Sequence, residues 1–231
     1  MITPYYIFAS SKLWHRDAFD TLRSERPENW AWASTPQELE QAISIGAPRY
    51  VFFLHWNWHV PSHIWSPHEC VCFHMTDVPY GRGGSPLQNL IKAGHKTTKL
   101  TALRMVEGMD QGPVYTKLPL SLAGRAEDIY RRAGALSVDL IRWIIDTTPV
   151  PTPQQGEIVT FKRRKPADSA LPMHCDTESL YDHIRMVDAP GYPLAFIQHG
   201  EFRLEFSNAQ MEDDGLHARV VIRKHPNDKQ D

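Results

Sequence analysis

An α/β fold, with a mainly parallel sheet flanked by helices and a short C-terminal antiparallel β module, is what the sequence predicts. Three observations carry that expectation. Short apolar runs alternate with amphipathic helical patterns, and caps and glycine stops separate them. Beyond Pro190 the pattern changes to strands joined by tight turns.

Taken in order, "YYIFAS" (5–10) and "RYVFFLHW" (49–56) are apolar and aromatic-rich, as strands buried on both faces of a parallel sheet must be. Between them, "TPQELEQAISIGAP" (35–48) opens with Thr35 as a cap, Pro36 at the first helical position and Glu38 three residues after the cap, and stops near Gly46. "ECVCFHM" (69–75) reads as the next buried strand. "SPLQNLIKAG" (85–94) reads as a helix capped by Ser85, with Pro86 at its first position and Gly94 at its end. "KTTKLTALRMV" (96–106) alternates as a strand. "GRAEDIYRRAGALSVDLIRWIID" (124–146) places Ile129, Ala133, Leu136, Leu140 and Ile144 at helical spacing, before the loop "TTPVPTPQQG" (147–156). A helix over "TESLYDHIRMV" (177–187) then precedes three short strands, "LAFIQHG" (194–200), "EFRLEFSNAQ" (201–210) and "LHARVVIRK" (216–224), with a hairpin turn at His199-Gly200. The expected division is an α/β domain over residues 1–170, then a helix and small antiparallel module over 171–231.

The 231 residues are 42% hydrophobic and 23% charged, an ordinary globular balance. A net charge of −2 with a pI near 6.6 leaves no basic excess to neutralise a phosphate backbone, so nucleic acid is not an expected partner, whereas a small anionic ligand is allowed. Three cysteines cannot build a disulfide framework. No charged-then-apolar leader opens the chain, and no apolar run approaches bilayer length, so a cytoplasmic location without membrane insertion is expected.

Chemistry should gather at the carboxyl ends of the parallel strands. "CVCFHM" delivers His74 there, and "VEGMDQGPVY" (106–115) places Asp110 in a glycine-flanked loop after the strand ending near Met105, expected at the same edge. A histidine beside a carboxylate is an acid/base unit, since the carboxylate orients the ring and stabilises its charged form. The bland alternative is a core histidine and a turn-forming aspartate.

The stretch "FHMTDVPYGRGGSPLQNLIKAGHKTTKLTALRMVEGMDQGPVY" (73–115) resembles the core of the folate-dependent formyltransferases, on His74, Pro79, Tyr80-Gly81-Arg82-Gly83, Pro86 and Asp110-Gln111-Gly112. "PTPQQGEIVTFKRRKP" (151–166) and "IRMVDAPGYPLAF" (184–196) extend the likeness over most of the chain. The resemblance implies a Rossmann-like formyltransferase fold. It also implies an enzyme moving a formyl group from 10-formyltetrahydrofolate to a primary amine, with His74 bonding the developing oxyanion or relaying the proton and Asp110 fixing the ring and helping to accept charge. One departure stands out: the family carries Asn-x-His where this chain has Cys72-Phe73-His74. A thiol is a weak donor, and Asn57, in "LHWNWHV" (54–60), is the amide expected to replace it. The pterin is expected against Trp56, Trp58 and the loop holding Met105, Gly108, Met109 and Asp110. Within the family the chain is most similar to enzymes that formylate nucleotide-linked 4-amino-4,6-dideoxy sugars for surface polysaccharides. Tyr80, Arg82, Gly83, Arg163, Arg164 and Lys165 would then hold the acceptor. Another small amine or methionyl-tRNA is the alternative acceptor, and a homodimer through the C-terminal strands is an expected assembly.

Two readings from other classes stay open. His55, His59, His63 and His68 crowd beside Cys70 and Cys72, ligand types of a zinc hydrolase, although Pro61 interrupts any helix that would align them, and no metal is expected. A non-catalytic binding module on the same fold is the other. "GRGGS" (81–85) lacks the lysine and serine spacing of a phosphate loop.

Overall fold

The computed structural model describes residues 3–224. In chain order the elements are β1 (Tyr5–Ser10), α1 (Arg16–Glu25), β2 (Asn29–Ala33), α2 (Pro36–Ile45), β3 (Tyr50–Leu54), the one-turn α3 (Ser62–Trp65), β4 (Cys70–His74), the two-residue β5 (Arg82–Gly83), α4 (Pro86–Lys92), β6 (Thr97–Arg104), β7 (Val114–Ser121), α5 (Ala126–Thr147), the two-residue β8 (Thr160–Phe161), α6 (Thr177–Arg185), β9 (Ala195–His199), β10 (Phe202–Glu212) and β11 (Gly215–Lys224). The main sheet runs β2-β1-β3-β4-β6-β7. Its first four strands are parallel, and β6 is antiparallel to β4.

The aromatic richness of the strands has a layered cause. Side chains alternate across a strand, so Ile7 and Ala9 of β1 and Val51 and Phe53 of β3 join one aliphatic cluster with Leu39 and Ala42 of α2 and Ile64 of α3. Tyr6, Phe8 and Phe52 point to the other face. There Phe8 stacks on Trp32 of β2 and meets Phe19 of α1 edge-on, with ring centroids 5.5 and 5.8 Å apart. Both faces are therefore covered, and each fully buried large side chain contributes about 1.5–3 kcal/mol.

Local sequence sets the helix ends. Thr35 Oγ1 accepts from the Glu38 N–H at 3.2 Å, Pro36 opens α2 with a fixed φ, and the Glu38 carboxylate reaches back to the Ser34 N–H and hydroxyl at 2.6 and 2.7 Å. The reciprocal bond thus falls one residue before the cap. The Ser34 backbone and side-chain bonds hold the Glu38 carboxyl below its usual value. At α6, Asp176 caps by accepting from the Ser179 N–H at 2.7 Å.

Several elements escape the sequence reading. α1 buries only Phe19 and Leu22, too narrow a stripe to stand out. β2, at the sheet edge, buries only Ala33 of its five residues, and β7 was not anticipated either. Between the first apolar strand and "RYVFFLHW", the chain therefore makes α1, β2 and α2 rather than one helix.

Residue contacts gather the chain into two compact units. One comprises Met1–Pro86, Thr98–Leu120 and Arg131–Phe161; the other comprises Leu87–Thr97, Ser121–Tyr130 and Lys162–Asp231. The second unit holds α6 and the antiparallel sheet β11-β10-β9, whose β9–β10 turn is Gly200-Glu201 with Gly200 at φ 56°. Within it, the guanidinium of the buried Arg185 donates to the Leu122 and Gly124 carbonyls at 2.6 and 2.9 Å and to Asp182 at 2.6 Å. Residues 225–231 of the expected C-terminal module lie outside the described residues. Among the described residues, no helix is long and apolar enough to cross a membrane.

Candidate active site

β4 ends at His74, and the chain then turns through 75–85 into α4. His74 is 8% exposed. Its Nε2 lies 2.8 Å from the Gly81 carbonyl oxygen. A carbonyl only accepts, so Nε2 carries the hydrogen, and Nδ1 is left with its lone pair facing Asp110 Oδ2 at 3.6 Å. That separation suits an ion pair once the ring is protonated but is too long for a hydrogen bond. Asp110 Oδ2 instead accepts the Gly83 N–H at 2.9 Å. The ring is therefore oriented by a carbonyl of the 81–83 turn, and the carboxylate by an amide of the same turn.

The path that brings Asp110 here corrects one expectation. Asp110 was predicted to leave its strand at the edge occupied by His74, but β6 is antiparallel, with Arg104 opposite Val71 and Thr101 opposite His74. β6 ends at the opposite edge, and the loop 105–113 must run back along β4, roughly 10 Å for three residues of strand. Gly112 makes the reversal feasible: a Cβ there would lie 1.7 Å from the Arg104 carbonyl oxygen. Asp110 takes a left-handed φ of 54°.

The turn has its own supports. β5 pairs in parallel with β8, and the Val159 carbonyl accepts from the Gly81 and Arg82 N–H groups at 2.9 and 3.0 Å. Gly83, at φ 100°, leaves no room for a Cβ, which would meet the Phe161 carbonyl at 2.5 Å. Ahead of the turn, Lys117 donates to the Asp77 carboxylate and, at 2.6 Å, to the Val78 carbonyl, while Lys99 lies 3.5 Å from Asp77. Burial alone would raise the Asp77 carboxyl, but the two lysines more than reverse it, leaving it below the usual carboxylate value. Gln154 closes the arrangement. Its Oε1 accepts from Arg82 Nε and Nη2 at 3.1 and 2.8 Å, and its Nε2 donates to the Asp110 and Gly112 carbonyls at 2.8 and 2.7 Å. Sequence reasoning missed Gln154, Lys117 and Asp77. All three lie where no periodicity marks a side chain, and only the Pro-rich context of Gln154 hinted at a fixed loop.

The other predicted residues are distributed as follows. Trp56 and Met105 pack on the aliphatic core, whereas Trp58 is 44% and Met109 68% exposed; Trp56 and Trp58 meet edge-on at 5.1 Å. Gly108 lies against the Gln111 side chain, and Tyr80 meets Phe161 edge-on at 5.6 Å. Asn57 is exposed in the loop beyond β3. In the second unit, Arg163 and Lys165 are exposed, and half-buried Arg164 donates to the Asp168 carbonyl.

Cys72, two residues before His74, is pushed well above the ordinary thiol value, first by burial and then by the Asp110 charge. Cys70 donates to the Ile64 carbonyl, and burial pushes it up to about 12. Both therefore stay protonated at neutral pH. The histidines proposed as zinc ligands disperse: His63 pairs with Glu40 at 2.7 Å and His55 with His15 at 3.1 Å. Among the described residues, the one trio whose ligand atoms all fall within 4.8 Å is the exposed Glu212, Asp214 and His217.

Known proteins share this architecture. The family described as "Methionyl-tRNA formyltransferase, C-terminal domain" matches residues 166–223. The solved methionyl-tRNA formyltransferase from Clostridium thermocellum is 40% identical, with 96% of this chain and 99% of that chain covered and a TM-score of 0.93. The methionyl-tRNA formyltransferase of Sorangium cellulosum (strain So ce56) is 31% identical over 130 residues, 53% of this chain and 42% of that protein. HypX from Aquifex aeolicus, solved in complex with tetrahydrofolic acid, shares the fold at 16% identity and a TM-score of 0.77, over 96% of this chain and 44% of its own. The chain spans about half the length of the curated relatives it matches. On the full-length match at 40% identity, the chain belongs to the formyltransferase family.

Proposed function

We propose that the chain transfers the formyl group of 10-formyltetrahydrofolate to a primary amine, in an α/β part over residues 1–170 that a helix and small β module over 171–231 complete. The observation that carries the proposal is the His74 ring, fixed by the Gly81 carbonyl with its free Nδ1 turned toward the Asp110 carboxylate. An amine adding to a formyl carbon must lose a proton, and Nδ1 is the atom proposed to take it. The resulting imidazolium would donate to Gly81 on one side and face a carboxylate 3.6 Å away on the other, so both neighbours stabilise its charge. No covalent bond to the enzyme is needed, in keeping with the protonated Cys72.

The folate supplies an activated formyl carbon. The residues present fit it: Trp58 offers an exposed ring beside Trp56, and the loop carrying Gly108 and Met109 offers backbone groups to a pterin edge. HypX, which shares the fold, is solved with tetrahydrofolic acid, and that supports a folate as the donor. Asn57 is the amide proposed to steady charge on the formyl oxygen; Asn57→Ala should lower turnover by about 10²–10³-fold, and a near-parental rate would remove it from the reaction.

For the acceptor, the comparisons support the aminoacyl amine of methionyl-tRNA over the amino sugar expected from the sequence. The expectation that set nucleic acid aside drew on the net charge of −2. A nucleotide-linked amino sugar remains the second reading, favoured by that charge of −2. Arg82 is the proposed contact to the acceptor, with Tyr80 and Gly83 beside it and Arg163, Arg164 and Lys165 as further cations. Purified protein with 10-formyltetrahydrofolate, offered methionyl-tRNA and a panel of nucleotide-linked amino sugars, decides by mass: a formylated aminoacyl ester supports the first reading, a formylated sugar the second. Product from neither would overturn both. A second copy of the chain is the proposed assembly partner, through the open edge β11, where Val220 and Ile222 are 42% and 64% exposed; a monomer by light scattering would dismiss it.

A further inference from the structure

Gln154 belongs to no helix or strand, yet it joins the two stretches of chain that make the His74–Asp110 site. Two residues before it, Thr152 exchanges N–H to carbonyl bonds of 2.8 and 2.7 Å with Val114 of β7, so the stem of its loop is fixed. Its amide can have only one orientation. Arg82 only donates, so it must face Oε1; the Asp110 and Gly112 carbonyls only accept, so they must face Nε2. Two N–H groups and two lone pairs are all in use.

We propose that Gln154 is a positioning residue that ties the Arg82 guanidinium to the Asp110 loop and so sets the separation of His74 and Asp110. The inference rests on the reading of that pair as the proton-handling unit. Asp110 is held at both ends by the same turn, its carboxylate by the Gly83 N–H and its carbonyl, through Gln154, by Arg82. Without the amide, the left-handed Asp110 loses the bond to its own backbone, the Gly112 carbonyl loses its donor, and Arg82 loses the acceptor that fixes its fork. Glutamate would keep the Arg82 partner but turn lone pairs toward two carbonyl oxygens. Asparagine is one methylene too short to span both sides. An acceptor that draws Arg82 away from Oε1 would act on Asp110 through the same side chain, which makes Gln154 a link between acceptor binding and the acid/base pair.

The test uses the full chain with Gln154→Glu, Gln154→Met and His74→Ala. Formyl-transfer kinetics and thermal midpoint are measured, together with the imidazole titration of His74 followed by NMR without substrates. Gln154→Met and Gln154→Glu should both fold, with kcat reduced about 10- to 100-fold, the folate KM within about twofold of the parent, and the His74 titration displaced. A His74 titration that matches the parent in the folded fraction of both variants would overturn the proposal, whatever the rate. Full activity in His74→Ala would overturn the acid/base reading instead, and the titration result would still decide whether Gln154 positions Asp110.

Discussion

Two histidine sites sit at the carboxyl edge of one sheet and have opposite characters. At the end of β4, His74 has a carbonyl on one nitrogen and a carboxylate facing the other. Beyond β1 and β3, His15 Nε2 lies 3.1 Å from His55 Nδ1, their rings stack with centroids 5.4 Å apart, Trp14 meets His55 edge-on and Gly134 of α5 lies against the His15 ring. Burial, then the Lys12 charge, depresses His15 to about 4; burial, then His15 and Lys12, depresses His55 to about 3. That pair is neutral at physiological pH and accepts no proton there. The difference teaches that neither residue type nor sheet edge assigns the role; what faces each nitrogen does.

The sharpest break of this comparison is His74→Ala, expected to lower kcat by about 10²–10⁴-fold, the range for a lost general base. His15→Ala should cost stability and leave kcat within about tenfold of the parent once folded protein is counted. Equal losses in steady-state kinetics would erase the distinction. Next comes Asp110→Asn, which keeps an acceptor for the Gly83 N–H but removes the charge beside Nδ1; a loss of about 10²-fold is expected, with the thermal midpoint little changed. Gly112→Ala should cost about 1–3 kcal/mol or more in denaturant unfolding, because its Cβ meets backbone rather than a movable side chain.

The last expectation concerns pH. An unfolded histidine takes up a proton near the ordinary value of 6.5, whereas folded His15 and His55 resist until about 4 and about 3. The unfolded chain therefore binds more protons below pH 6.5, so stability falls as pH drops from there toward 4. The thermal midpoint should decline over that window, and the decline should be shallower in His15→Asn. A midpoint flat from pH 6.5 to 4.5 would mean that the pair is not held neutral.

The fold was legible wherever burial imposes a pattern. Strands 5–10, 50–54 and 70–74 are apolar because both of their faces are covered, and α2 announces itself through Thr35, Pro36 and Glu38. The nearness of His74 and Asp110 was anticipated for a reason only half right. Strand order placed His74 correctly, but the direction of β6 depends on pairing between distant residues, which no local pattern encodes. Gln154 was illegible for a related cause: its partners are backbone carbonyls and an arginine 72 residues away, and a single amide in a proline-rich loop looks the same whether it is solvated or spent on four bonds. The histidines near Pro61 show the other side of the same limit, since among the described residues their proximity in sequence does not become a three-ligand cluster.

The parallel pairing of β5 with β8 also bears on the order in which the protein is made. Arg82 is matched with Thr160, 160 − 82 = 78 residues later. On a ribosome, the first four strands can emerge and begin to associate while the 81–83 turn still lacks its partner. Val159, Phe161 and Gln154 arrive only after the 22 residues of α5. The reactive geometry is thus among the last features of its unit to be completed during synthesis. A nascent chain stalled at the end of α5 would carry His74, Asp110 and the 81–83 turn without the strand and the amide that brace that turn.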